Sequence, residues 1–278
     1  MKILKYLSLV LLVALSVSCE KHEIEYNATP ITNLAEFQLH YFVPVTAVAT
    51  NNITKVEVNG LLFANPKAPL TTYNAIPSGS VGVFYAVTPG SVNLKLYQGL
   101  NGETLVYDQN VTLTAGKQNV YVHDFNLPPV VFDNGHPYST NVTENTDSVA
   151  WVRFNHFLYE TAGVTNNMRL QYQYIDPVTN LLVNIGEPVR FGETTGWQPV
   201  KVIKSVFNST GSRIITFRIK VVDGSGAVLG ELQVRNASGV LVNYTATATL
   251  FIGRRYHHIM SGFRAAVPIS SVRVFTAI

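Results

Sequence analysis

The side chains able to do chemistry in this 278-residue chain are few: one cysteine, seven histidines and 17 carboxylates. The cysteine, Cys19, directly follows Ser18, and before it runs an apolar stretch from Leu7 to Val17 headed by Lys2 and Lys5. A basic start, an apolar run of about eleven residues and a small residue at the cut form a secretory signal, and the run is too short to span a bilayer permanently. Residues 1–18 are therefore expected to be removed. With a single thiol, no intrachain disulfide can form. A metal centre would need several of His22, His40, His123, His136, His156, His257 and His258 on one face with carboxylates nearby. His257 and His258 are adjacent on a predicted strand and so point to opposite faces. No metal site is expected, and these histidines read as satisfied or solvated side chains. Neither HExxH, GxSxG, a Walker loop nor GxGxxG occurs, so no catalytic set and no cofactor are expected. Trp197, in Thr194-Thr195-Gly196-Trp197-Gln198-Pro199, reads as a loop aromatic and is the candidate ligand-binding residue.

The elements that would position these groups are strands. Charged residues make up 13% of the chain, about half the usual share, while 47% are apolar, a composition rich in β-branched and aromatic residues. Loss of Lys2 and Lys5 with the signal lowers the formal charge from +3 to +1, so no basic field for nucleic acid is present. Residues 19–34 mix charges with Asn27, Pro30 and Asn33 and read as a stalk. From Ala35 to residue 132, short period-2 segments alternate with turn signals. Among them are Phe37-Leu39-Tyr41-Val43, Ile53–Val58 ending in Asn59-Gly60, Val92–Tyr97 and Thr104–Leu113. Residues 133–148 are polar with Gly and Pro, as an inter-domain linker would be. The pattern restarts over 149–278, with strands expected at Val149–Leu158, Pro199–Phe207, Arg213–Val222 and Tyr256–Phe263, among others, and a central hairpin around Leu181–Gln198.

The two halves repeat one another. Ala35, Phe42, Thr46 and Ala47 fall on Ala150, Phe157, Thr161 and Ala162 at an offset of 115, as do Thr50-Asn51-Asn52 on Thr165-Asn166-Asn167. Near the end of each half, Thr112-Leu113-x-x-Gly116-Lys117 echoes Thr249-Leu250-x-x-Gly253-Arg254 at an offset of 137. The fold class expected is all-β, with two tandem β-sandwiches.

Several resemblances add to this reading. Ser16-Val17-Ser18-Cys19 resembles the lipobox of Gram-negative bacterial lipoproteins, with Ser16 where Leu is usual. That resemblance implies lipidation of Cys19, which becomes the first mature residue, and a membrane partnership through the anchor alone. Two or more acyl chains hold a protein stably where one is marginal. Glu20, Lys21, Glu23 and Glu25 look like the charged start of lipoproteins sent to the cell-surface face of the outer membrane. The Val-Asn-Gly after the second strand and the late Thr-Leu-x-x-Gly-Lys resemble a tandem immunoglobulin-like domain of unknown function found in bacterial secreted and lipid-anchored proteins. The His-Ala-x-Pro-Asp-Ala-Pro signature of that family is absent, with only His40-Tyr41-Phe42-Val43-Pro44 in its place. The family implies immunoglobulin-like sandwiches and no activity. Asp147-Ser148-Val149 also resembles the acceptor of an O-glycosylation system in some Gram-negative envelopes, which makes Ser148 a candidate modification site.

These observations lead first to a lipid-anchored, non-enzymatic binding or adhesion module for glycan or protein. The alternative is a structural or scaffold subunit of an outer-membrane complex, suggested by β-rich segments open to strand addition. An envelope hydrolase comes third, since nothing in sequence pairs two acids.

Overall fold

The computed structural model describes residues 33–64, 67–74, 78, 83–135, 149–202 and 211–277. The signal segment, Cys19, nearly all of the stalk, Ser148 and most of the expected linker lie outside the described residues. Within them every regular element is a strand apart from one 3₁₀ turn, Ala49–Asn51.

The first half supplies β1 (Ala35–Tyr41), β2 (Ile53–Val58), β3 (Leu61–Ala64), β4 (Tyr85–Val87), β5 (Gly90–Gln98), β6 (Thr104–Leu113), β7 (Gly116–Val122) and β8 (Val130–Asp133). They form two four-stranded sheets, β4-β1-β7-β8 and β3-β2-β5-β6. The period-2 pattern does what its spacing requires. Ala35, Phe37, Leu39 and Tyr41 of β1 meet Val56, Val58, Val92, Leu94 and Leu96 of the facing sheet in one buried core. Asn59 and Gly60, at φ 51° and 77°, make the tight turn that joins β2 to β3, a conformation that favours this pair of residues.

The second half supplies β9 (Val149–Thr161), β10 (Val164–Thr165), β11 (Arg169–Ile175), β12 (Leu182–Val189), β13 (Thr194–Lys201) and β14 (Ser212–Val222). It continues through β15 (Val228–Glu231), β16 (Gln233–Arg235), β17 (Leu241–Asn243), β18 (Thr245–Phe251), β19 (Arg255–Phe263) and β20 (Ser271–Thr276). One sheet has the order β10-β9-β19-β20, with β13 also on β9. The other runs β12-β11-β14-β15, with β18 also on β14. Between them Val152, Phe154, Leu170, Tyr172, Ile215, Phe217 and Met260 are buried together.

The repeat seen in sequence is a repeat of topology. Each half pairs its first strand in parallel with its penultimate or last long one, β1 with β7 and β9 with β19. The equivalent glycines open both pairings, Gly116 N–H donating to the Leu34 carbonyl at 3.0 Å and Gly253 N–H to the Val149 carbonyl at 2.9 Å. Beyond that bond the second pairing slides by one residue. Ala35 lies beside Gly116, whereas it is Trp151, not Ala150, that starts the ladder, opposite Arg255.

Two expectations differ from the observed fold. The segment around Leu181–Gln198 is not a hairpin: β12 pairs with β11, and β13 pairs with β9 in the other sheet. The chain crosses between sheets at Arg190–Glu193, where Glu193 N–H bonds the Arg190 carbonyl at 3.0 Å and Gly192 N–H bonds the His156 carbonyl at 2.8 Å. The strand expected at Pro199–Phe207 correspondingly begins earlier, at Thr194, and its tail from residue 203 lies outside the described residues.

The sheets β4-β1-β7-β8 and β10-β9-β19-β20 also pack against each other through the faces turned away from their own cores. Phe42, Tyr73 and Tyr121 from the first half and Phe157, Ile259 and Phe275 from the second form a third buried cluster. Four β-layers are thus stacked, and the two middle ones are buried on both sides. This explains why β1, β7, β9 and β19 are buried almost throughout rather than at every second residue.

Candidate functional site

Two places combine polar chemistry with enclosure: the contact between the halves, and a cleft at one end of the second sandwich.

The contact is built from the outward residues of the middle strands. His40 stacks on Tyr121 with ring centroids 4.3 Å apart and donates from Nε2 to Asn119 Oδ1, 2.9 Å away. His257 lies 5.7 Å from His40, centroid to centroid, and its Nδ1 is 3.3 Å from the Tyr121 hydroxyl. His123 Nδ1 pairs with the Tyr159 hydroxyl at 2.8 Å. Arg153, only 6% exposed, donates to the Asp133 carbonyl and to Thr194 Oγ1, and its guanidinium covers the Phe132 ring at 5.1 Å. Burial lowers the His40 pKa to about 3, and the Arg153 charge pushes it the same way. His257 is driven far down by burial, then by His40, Arg153 and Arg255. Both rings are therefore neutral at pH 7, and the Arg153 guanidinium is a full charge lodged among them.

Trp197 belongs to this contact. It lies in β13 rather than in a loop, is partly buried, and its indole N–H donates to the Asn134 carbonyl at 2.9 Å. Its ring is 5.1 Å from His257 and 5.9 Å from the Arg153 guanidinium. An indole so engaged ties the two halves together. Replacing it, Trp197→Ala, is expected to lower stability by about 2–3 kcal/mol, from the lost cross-half hydrogen bond and ring contacts, and a urea midpoint unchanged from wild type would contradict that role.

His257 and His258 do face opposite ways. His258 points into the second core, where its ring is 4.3 Å from Phe154 and 5.1 Å from Phe217. His156 is also fully buried, accepting from the Leu158 N–H at its Nδ1, 3.2 Å away. Solvation, one of the two expectations for these histidines, does not apply to His40, His156, His257 or His258. Among the described residues no three His, Cys, Asp or Glu side chains are placed to share a metal ion. His22 and His136 lie outside the described residues, as do Cys19 and Ser148.

The cleft lies where four connections of the second sandwich converge. Ala162-Gly163, with Gly163 at φ 72°, folds β10 back on β9, and Asn166 then closes a turn by accepting the Met168 N–H at 2.8 Å. The Arg190–Glu193 crossing forms a second wall, where the Arg190 N–H is held by the Glu193 carboxylate at 2.7 Å. The β14–β15 turn forms a third. There Asp223 Oδ1 accepts from the N–H groups of Ser225 and Ala227 at 2.8 and 2.9 Å, as the Asp223-Gly224-Ser225-Gly226 motif predicts. Arg264, just past β19, completes the ring through a bidentate pair with Glu160.

The cleft is open to solvent and has a volume of about 930 Å³, near the upper end of the usual range for a small-molecule site. Three guanidiniums, Arg169, Arg190 and Arg264, stand among three carboxylates, Glu160 and Asp223 in the lining and Glu193 held on the Arg190 N–H, so the walls carry no net charge. The Arg264 charge is used by Glu160. Arg190 is exposed, and its guanidinium makes no ion pair among the described residues. Arg169 reaches the carbonyls of Asp223 and Gly224 only weakly, at 3.5 and 3.3 Å, while its Nε has no partner among the described residues. Asn166 is buried and its Nδ2 likewise has none. Phe191, Met168, Val164 and Leu229 supply apolar lining.

None of these cleft residues was singled out from sequence, because they come from four separate stretches. One signal was present: Thr165-Asn166-Asn167 repeats Thr50-Asn51-Asn52. In the first half that loop is closed, the Asn51 carbonyl taking hydrogen bonds from the Tyr41 hydroxyl at 3.0 Å and the Gln98 amide at 2.9 Å. In the second half the same residues border the cleft.

No family model matches the chain, and no curated protein matches it. Among solved structures it is similar to the Bacillus anthracis TIE protein, at 9% identity and a TM-score of 0.21, over 82% of this chain and 34% of that one. The chain thus spans about a third of that protein's solved length. It is also similar to a chain described as a candidate cell adhesion protein from Bacteroides uniformis ATCC 8492, at 10% identity and a TM-score of 0.22, over 88% of this chain and 98% of that one. At these scores neither neighbour bears on function.

Proposed function

We propose that the chain is a lipid-anchored envelope protein, held through Cys19 at the outer membrane and facing the cell surface, that binds a glycan or protein ligand without transforming it. The observation that carries this reading is the cleft. It is built from loops on a rigid β scaffold, the usual place for recognition, and its acids are committed to holding Arg264 and the β14–β15 turn rather than poised as an acid–base pair. The lipobox-like Ser16–Cys19 segment and the charged residues after it support the anchor and the outward placement. Immunoglobulin-like architecture for the two halves is part of the same proposal.

The test presents the full chain to arrays of saccharides and of envelope and matrix proteins. Binding is expected, is expected to be lost in Thr165→Trp, which plugs the rim, and to survive Trp197→Ala. Absence of any ligand, or binding indifferent to Thr165→Trp, would overturn the reading.

A structural-subunit role has one observation in its favour. Among the described residues strands β18 and β20 are each paired on one side only, and a groove of about 440 Å³ is lined by Ala246, Ala248, Val272 and Val274 from these strands. Such paired open edges suit an added strand. Crosslinking in intact cells that returns only monomer would remove this role.

A further inference from the structure

Resting on the binding role proposed above, we infer that the cleft of the second sandwich selects an anionic saccharide, one whose sugar rings carry a carboxylate, and that Arg190 is the residue that reads the carboxylate. Three features of the cleft converge on this ligand.

The first is charge placed without a protein partner. A guanidinium is a planar fork of donors matched to a carboxylate, and such pairs are stronger and more directional than neutral hydrogen bonds. Arg264 already spends its fork on Glu160, whereas Arg190 spends none among the described residues. Arg169, also in the lining, keeps its Nε–H without a partner among the described residues. The Glu193 carboxylate is occupied by the Arg190 backbone N–H, so among the described residues the Arg190 guanidinium is left to meet a negative group from outside.

The second is the kind of polar group around that charge. Asn166 contributes a buried amide whose Nδ2 lacks a partner, and Thr165 and Asn167 stand at the rim. Side-chain amides and hydroxyls both give and accept, which suits a ligand bearing many hydroxyls. A buried donor left unpaired is costly, so a ligand oxygen that satisfies it is favoured.

The third is the apolar lining. Val164 and Leu229 are 51% and 68% exposed at the rim, and Phe191 and Met168 are half-buried deeper in. These cover the C–H faces of sugar rings. An acidic peptide would use the guanidinium equally well but would leave the amide cluster and the breadth of the cleft without purpose.

The experiment is calorimetric titration of the full chain with a glucuronate-containing tetrasaccharide, with the same tetrasaccharide after reduction of its carboxyls to alcohols, and with a pentaglutamate peptide. The acidic sugar is expected to bind at least tenfold more tightly than the reduced one, with affinity falling as salt is raised. Arg190→Gln should erase that tenfold difference and leave the thermal midpoint unmoved, while Arg190→Lys should restore part of it. Equal affinity for the acidic and reduced sugars would overturn carboxylate recognition and leave the broader binding role standing. Pentaglutamate binding as tightly as the sugar would overturn the saccharide class. Failure of both sugars to bind, with a ligand still found on the arrays, would overturn this inference alone, whereas blank arrays would remove the binding role with it.

Discussion

Shifting the solution from pH 7 to pH 5 is expected to cost the folded chain about 6 kcal/mol. Burial lowers the pKa of His40, His156 and His258 from the ordinary 6.5 to about 3. In the unfolded chain each of these histidines takes up a proton as the pH falls through 6.5, while in the folded chain it stays neutral down to about 3. The unfolded state thus binds more protons throughout that window, stability rises with pH across it, and the contribution present above 6.5 is lost on acidification. At pH 5 the difference is about 2 kcal/mol for each histidine. His257 and His123 are lowered as well and act in the same direction. Six kcal/mol is comparable with the whole stability of an ordinary domain, so the chain should be close to unfolding at pH 5.

Urea titrations at pH 7, 6 and 5 measure this directly. His258→Phe supplies the control, because neither ring nitrogen of His258 has a partner among the described residues and Phe154, Phe217 and Tyr172 surround it. That variant should recover about 2 kcal/mol at pH 5 and cost little at pH 7. A midpoint that does not move between pH 7 and 5 would show that the histidines are not buried neutral in solution.

The second large effect concerns the contact between the halves. Phe157→Ala is expected to destabilise by about 3–5 kcal/mol, the usual cost of removing a buried phenylalanine ring. The ring sits 5.3 Å from both Tyr121 and His123 of the first half and 6.5 Å from Phe132, so the cavity would open between the halves and not within either core. A single calorimetric transition in the wild type should therefore broaden or split into two in the variant, since each sandwich keeps its own buried cluster. A loss below about 1 kcal/mol with one sharp transition would mean that the stacked faces contribute little.

Much of the fold could be read along the chain. Period-2 alternation located β1, β2, β5, β6, β9, β14 and β19 to within a few residues, and Asn59-Gly60 and Asp223–Gly226 marked real turns. The repeat of Gly116 and Gly253 anticipated a shared topology, down to equivalent backbone hydrogen bonds. Cysteine count and low charge are likewise properties of the chain as a string. The strands and turns were legible because strand formation and turn chemistry depend on residues within about ten positions of one another.

The alternate faces were beyond such reading. Gln38 and His40 look like the solvated side of a half-buried strand, yet both are fully buried, because the sheet carrying β1 stacks on the sheet carrying β9. Whether a polar face meets water or another sheet is not a local property. It depends on partners more than a hundred residues away, as the pairing of Tyr121 with His257 illustrates. The same holds for Trp197, whose Gly-preceded setting suggested display but whose indole is drawn into the contact by the Asn134 carbonyl. It holds also for the cleft, whose arginines come from three turns that only the closing of the second sandwich brings together. Local spacing determined which side chains each strand sends inward; the stacking of whole sheets decided what covers the other side, and the closing of the second sandwich decided which side chains share a cleft.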